Sequence, residues 1–207
     1  MSVWSRYVLP RLIESACKSP DILEERRRWI PRAHGRVLEI GVGSGLNLAF
    51  YDPARVEKVV GVDPSIELAR RAEARVRHAK VPIELVTAGA ERLPFEAGAF
   101  DSAVMTYTLC SVDDARLALA EARRVLVPGG ELFFVEHGRA PDADARRWQA
   151  RLGPVWRRAG GGCRLESAPL DDLASAGFEL DEVAAGYSDG ARWLSYTYEG
   201  VARSPTP

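Results

Sequence analysis

Three glycines at alternate positions, Gly41, Gly43 and Gly45, follow a short apolar run in VLEIGVGSG at residues 37–45. Glycines placed directly after a strand let a backbone approach a ligand closely. A dinucleotide fingerprint needs G-x-G-x-x-G, but Leu46 stands where its last glycine would fall. Glu39, two residues ahead of the first glycine, disfavours a pyrophosphate and suits a cationic ligand group. Asp63 closes VVGVDPS, where a carboxylate can accept the hydroxyls of a ribose. Asp63 also suits a cap on the helix that Pro64 would begin, and the two roles are compatible. An adenosine bearing an ammonium group and no phosphates fits this set, and S-adenosyl-L-methionine is such a molecule. His137 and Cys110 stand just beyond two further apolar runs. The histidine is a candidate to deprotonate or orient a second substrate, or else a residue satisfied by loop backbone. The cysteine reads as a small packed residue.

The elements that must position these groups alternate. After residue 35, short apolar runs interleave with helical patterns, which predicts an α/β fold with a parallel sheet. Strands are expected at 36–40, 58–62, 83–87, 100–106 and 131–136, and helices at 44–51, 66–77 and 113–126. Two more strands, at 178–184 and 193–198, have no helix between them and suggest an antiparallel edge pair. We read residues 1–207 as one domain: a helical cap at 1–35, a cofactor-binding core at 36–137, an insertion at 138–170 and the strand pair at 171–203. Within the cap, Val3, Trp4, Tyr7 and Val8, then Leu12, Ile13, Ala16 and Cys17, form two amphipathic pieces around Pro10. They suit capping of the site or weak contact with a membrane surface.

Composition excludes several classes. The formal net charge of -1 gives no global field to attract nucleic acid. Arg26, Arg27 and Arg28 follow Glu24 and Glu25 and read as a solvated helix face. Cys17, Cys110 and Cys163 form no C-x-x-C pair, and the three histidines show no metal-ligand spacing. No apolar run reaches bilayer length and no secretory signal is evident, so a cytoplasmic location is expected.

With those residues in view, the chain resembles the class I S-adenosylmethionine-dependent methyltransferases. The matching motifs are LEIGVGSG at 38–45, GVDPS at 61–65, GAERLPFEAGAFD at 89–101 and RRVLVPGGELFFVEH at 123–137. The resemblance implies a Rossmann-like, mostly parallel seven-stranded sheet with helices on both faces and the last strand antiparallel. It implies S-adenosyl-L-methionine as cofactor, with Glu39 and the Gly41, Gly43 and Gly45 backbone at the methionine part. Asp63, followed by Pro64, would take the ribose. Ala90 and Glu91 would flank the adenine, and Thr106 would offer its backbone to the methionine end. Many relatives carry an aspartate for the adenine amino group where this chain has Gly89.

YTLCSVDD at 107–114, FVEHGRAPD at 134–142 and RWQARLGPVWRRAGGGC at 147–163 are similar to the alkyl-thiol methyltransferase branch. Relatives there continue past the G-G-C with a histidine and Leu-Asn-Arg, whereas this chain has Arg164-Leu165-Glu166-Ser167. The resemblance implies a small, rather apolar acceptor, a thiol by preference. Trp148, Trp156 and Cys163 lie in the insertion, with residues 160–162 as a candidate hinge; they would line an apolar acceptor pocket or else form a surface subdomain with its own small core. Phospholipid headgroups and quinone rings are the alternative acceptors, and a non-catalytic cofactor-binding module is another alternative. A nicotinamide-dependent oxidoreductase is disfavoured by Leu46 and Glu39.

Overall fold

The computed structural model describes Glu14 and residues 17–206. The amphipathic pieces expected before Cys17 lie outside the described residues. The chain runs α1 (Pro20–Trp29), β1 (Gly35–Ile40), β2 (Val56–Val62), α2 (Ile66–Val76), β3 (Ile83–Val86), β4 (Phe100–Thr106), α3 (Ala115–Val125), β5 (Leu126–His137), α4 (Ala143–Ala159), α5 (Pro169–Ser175), β6 (Glu179–Tyr187) and β7 (Tyr196–Arg203). The sheet has seven strands in the order β3-β2-β1-β4-β5-β7-β6. β7 lies antiparallel between β5 and β6, and the other neighbouring pairs are parallel.

Period-2 alternation divides the core into two layers. Leu38, Val60, Ala103, Met105, Leu132 and Phe134 face one side with Leu119, Ala122 and Val125 of α3. Val37, Val59, Val104, Phe133 and Val135 face the other with Trp29, Ile30, Leu48 and Tyr51. A strand covered on both faces carries a near-continuous apolar run, as these strands do. Each large side chain so buried contributes about 1.5–3 kcal/mol. β6 is exposed along almost its whole length, and Glu179, Asp181 and Glu182 keep this open edge charged, which discourages pairing with another chain.

Three expectations need correction. The helix at 44–51 is only a 3-10 turn at Leu46–Ala49, because the left-handed Gly45 (φ 80°) delays helical geometry and Tyr51 turns inward. The last strand begins at Tyr196 rather than Trp193 and continues to Arg203. Trp193 and Leu194 instead pack on a small cluster around Cys110 and Cys163. The fifth strand starts early, at Leu126, which pairs with Phe100; residues 127–130 then bulge from the ladder before pairing resumes between Ser102 and Glu131.

The order reverses between β1 and β4, leaving a crevice beyond their carboxyl ends, where ligands bind in open α/β sheets. α1 and the turn after α4 reach this crevice from opposite ends of the sequence: Ile22 and Arg26 come from α1, Gly160, Gly161 and Cys163 from the turn.

Candidate functional site

A cavity of about 840 Å³ fills the crevice. At its floor Glu39 leaves β1 buried, its carboxylate accepting from Asn47 Nδ2 at 3.0 Å and Tyr51 Oη at 2.8 Å. Burial raises this carboxyl to about 7, against the pull of Tyr51 and of the nearby Arg26 charge. The backbone of Gly41 and Gly43 passes over it with φ of 75° and 53°. A Cβ on Gly41 would collide with Thr108 at 2.1 Å, whereas one on Gly43 would meet only the Gly41 carbonyl at 3.8 Å. The first glycine is required by the neighbouring loop, and the second leaves open the space that a ligand needs.

Asp63, at the end of β2, accepts from Gly43 N at 3.0 Å and from Ser65 N at 2.8 Å. Its carboxylate braces the glycine loop, while the cap of α2 is Ser65, which accepts from Leu68 N at 3.3 Å. Burial raises Asp63 above the ordinary carboxylate range. Pro64 and Ala90 line the cavity beside it. Glu91 lines it too, with its carboxylate turned to accept from Asp113 N at 2.9 Å.

Thr106 ends β4 and presents its hydroxyl as well as its backbone: Oγ1 accepts from Arg26 Nη1 and from Asn47 Nδ2, both at 3.0 Å. Arg26 also donates to Asn47 Oδ1. Arg26 is therefore not on a solvated face. It is 4% exposed, unlike the side chains of Arg27 (59%) and Arg28 (53%), and its Nε is buried without a partner. Ile22, Arg26 and Trp29 fall at i, i+4 and i+7 on one stripe of α1, the helical spacing that would have placed this arginine inward. Asn47 and Tyr51 were missed as well; their spacing from Glu39 matches no period, because the 3-10 turn sets it.

The loop after β4 is held from below. Buried Glu136 accepts from Thr108 N (2.8 Å), Leu109 N (2.9 Å) and Cys110 N (3.3 Å). Burial raises it to about 7 despite those bonds. Tyr107 adopts φ 56°, a left-handed conformation costly for a bulky residue. It is fixed by a backbone bond to Val135 O at 2.7 Å and by its hydroxyl, which donates to Glu25. Its ring lies 4.7 Å from that of His137. His137 lines the cavity with a buried, unpartnered Nδ1, and burial lowers it to about 4, so the imidazole is neutral at physiological pH.

The far end of the cavity is apolar and sulfur-lined, built from Cys110, Trp156, Ala159 and Cys163. Trp148, by contrast, is 51% exposed on the outer face of α4 and does not line the cavity. Arg164 ties the segment after α4 to the loop after β4. It donates from Nη2 to Val112 O at 2.7 Å and from its backbone to Cys110 O at 2.8 Å. Among the described residues no group of three or more His, Cys, Asp or Glu is placed to hold a metal. No helix among them is long and apolar enough to cross a membrane.

These features pass a test of fit for S-adenosyl-L-methionine. The Gly43 space accommodates a ligand backbone, the orphaned Arg26 Nε suits a carboxylate, and Glu39 suits a cation. A methyltransferase-domain family model matches residues 38–134. The chain belongs to the class I S-adenosylmethionine-dependent methyltransferases, whose cofactor is S-adenosyl-L-methionine. Among its relatives, thiol S-methyltransferase TMT1A of Homo sapiens is 30% identical over 185 residues, covering 84% of this chain and 75% of that protein. Thiol S-methyltransferase TMT1B of Homo sapiens is 38% identical over 152 residues, covering 70% of this chain, and that of Rattus norvegicus is 37% identical over 146 residues, covering 69%. The chain spans 62% and 59% of the lengths of these two. In structure it is similar to geranyl diphosphate methyltransferase in complex with SAM (TM-score 0.71, 16% identity, 94% of this chain and 90% of the other), a likeness of fold.

Proposed function

We propose that this chain transfers a methyl group from S-adenosyl-L-methionine to a small, rather apolar thiol. The observation that carries the choice of thiol is His137. Its imidazole lines the cavity, and burial lowers it to about 4 against a hydrogen bond to the Tyr196 backbone, which makes it too weak a base to deprotonate an amine or alcohol efficiently. A thiol needs little help, being partly thiolate near neutral pH and intrinsically nucleophilic. The likeness to thiol S-methyltransferases supports the same choice.

Bound in the cavity, the cofactor supplies an activated methyl group for in-line displacement. The chain's own tasks are then alignment and exclusion of water. In this reading Asp63, fixed through Gly43 and Ser65, accepts from the ribose, with Pro64 beside it. Ala90 and Glu91 flank the adenine. Glu39 and the Gly41, Gly43 and Gly45 backbone hold the cationic part of the methionine end, and Arg26 with Thr106 holds its carboxylate. Cys110, Trp156 and Cys163 enclose the acceptor, and α1 closes the opposite wall.

The test is transfer of labelled methyl to a panel of alkyl and aryl thiols, amines, phenols, a demethylated quinol and phosphatidylethanolamine vesicles. Labelled thioethers are the expected products. Labelling of only the quinol or the lipid would replace the thiol reading. Saturable cofactor binding with no product on any acceptor would point to a binding module.

A further inference from the structure

Cys110 and Cys163 come from separate parts of the chain, the loop after β4 and the glycine turn after α4, and meet at the apolar end of the cavity. Their backbones are locked together by the Arg164 N–H on Cys110 O at 2.8 Å, reinforced by the Arg164 guanidinium on Val112 O at 2.7 Å and Asp113 O at 3.3 Å. The side chains share one buried cluster with Leu165, walled by Trp156, Trp193 and Leu194, and the two indole rings stand edge to face at 5.7 Å. Both cysteines are free, and both line the cavity.

The two thiols are not equivalent. A hydrogen bond between them pushes Cys110 well above the ordinary thiol range, with burial acting the same way. The same bond holds Cys163 below that range, against burial and with help from the adjacent Trp156 indole. Cys163 is also the less buried of the two, 8% exposed against 2% for Cys110, and so is the first to meet a molecule in the cavity. Nothing in methyl transfer to an external acceptor requires two contacting thiols of unlike acidity at this place.

We propose that Cys110 and Cys163 are a thiol–disulfide exchange pair that takes a small organic disulfide from the cavity. The Cys163 thiolate attacks one sulfur of RS–SR, a new S–S bond forms, and RS⁻ leaves and is protonated. Cys110 then gives its proton to solvent and attacks Cys163 Sγ, expelling the second RS⁻, also protonated to RSH. One substrate disulfide is reduced to thiol while the protein dithiol is oxidised to a Cys110–Cys163 disulfide. An added dithiol reductant restores the pair. The exchange needs no methyl donor, so it stands or falls apart from the proposed methyl transfer. It would deliver into the cavity the class of molecule proposed as acceptor.

The test uses the full chain, reduced and desalted, with bis(2-hydroxyethyl) disulfide near neutral pH and no cofactor. Released 2-mercaptoethanol is quantified, intact mass recorded and cystine-linked peptides mapped. Wild type is expected to release both halves of the disulfide and to yield a Cys110–Cys163 linkage. Cys110→Ser should stop at a mixed disulfide on Cys163, releasing only one half. Cys163→Ser should slow release by about tenfold or more, because Cys110 keeps its proton. Cys17, in the same cavity but pushed up chiefly by burial, should stay unmodified. Adducts on Cys17 alone, or a linkage that forms only after denaturation, would overturn the proposal. The wild-type peptide map decides the matter even if a serine variant fails to fold: thiol release without that linkage sinks it.

Discussion

Replacing Glu39 by Gln should reverse the sign of its effect on stability between acid and alkaline pH. In the folded chain burial raises this carboxyl from the ordinary 4.5 to about 7. Between those values the folded state holds a proton that the unfolded chain has released, so stability falls as pH rises through the window. Taken to completion, the displacement amounts to about 3 kcal/mol. The amide cannot ionise and escapes that cost. It loses one acceptor, since Asn47 and Tyr51 both donate to the carboxylate, although the tyrosine hydroxyl can rotate to accept instead; the loss is about 1 kcal/mol. The variant should therefore be less stable than wild type by about 1 kcal/mol near pH 4, about equal near pH 5, and more stable by about 2 kcal/mol near pH 8. Glu25, Asp63 and Glu136 are raised by burial too, whereas His137 and Glu14 are lowered and give the opposite slope, so the difference between the two proteins, not the wild-type curve itself, isolates Glu39. Urea unfolding without cofactor at these pH values measures it. Parallel losses in wild type and variant would refute the argument that the Glu39 carboxyl is protonated in the folded chain. Cofactor affinity should move oppositely, falling by about tenfold or more in the variant near pH 8, because the carboxylate is the partner of a cation.

Four further outcomes follow from the same geometry. Gly43→Ala should weaken cofactor binding by about tenfold, since its Cβ enters open cavity space and the backbone is left-handed; calorimetric titration reads this, and unchanged affinity contradicts it. Arg26→Leu should lower affinity for S-adenosylhomocysteine by about 10–100-fold, while exposed Arg27→Leu leaves it unaltered within error in the same titration. Glu136→Gln should destabilise by about 1–3 kcal/mol, because an amide NH₂ would face one of the backbone donors of residues 108–110, and thermal unfolding measures it. His137→Gln should lower kcat for a thiol without introducing or removing a pH limb between about 5 and 7, because burial keeps the ring neutral there; a limb that vanishes with the variant would show that the histidine titrates in that range.

The strands were legible because each is covered on both faces, and a doubly covered strand advertises itself as an apolar run. The place of the glycine loop and Asp63 on the cavity wall was legible for a related reason: left-handed backbone and a close loop contact restrict residue type at fixed positions. Tyr107, Arg26 and Glu25 were not. Their burial depends on α1 folding back across the carboxyl edge of the sheet, a long-range contact that a local pattern marks only faintly. A charged triplet after Glu24 and Glu25 has the composition of a solvated face, and only Ile22 and Trp29 at helical spacing mark the buried side. The tie that Arg164 makes between the segment after α4 and the loop carrying Cys110 was not legible, because it depends on tertiary contacts.

The balance of charge in the cavity explains why a glycine loop of nucleotide type is unsuited to a dinucleotide here. Glu39 and Asp63 point into a buried space where both are raised, so the site gains free energy when a positive group arrives and loses it when a phosphate does. Glu14, also at the wall, is already neutralised: despite burial, Lys18, Arg75 and Arg71 bring it to about 2. Arg26 supplies positive charge at the β4 side, shared with Thr106 and Asn47. A ligand matching this pattern carries a carboxylate at one corner, positive charge beside it and neutral hydroxyls toward Asp63. Exchanging the Arg26 and Glu39 charges would keep the local net charge yet invert its direction, and on this reasoning it should abolish cofactor binding where either neutral substitution only weakens it.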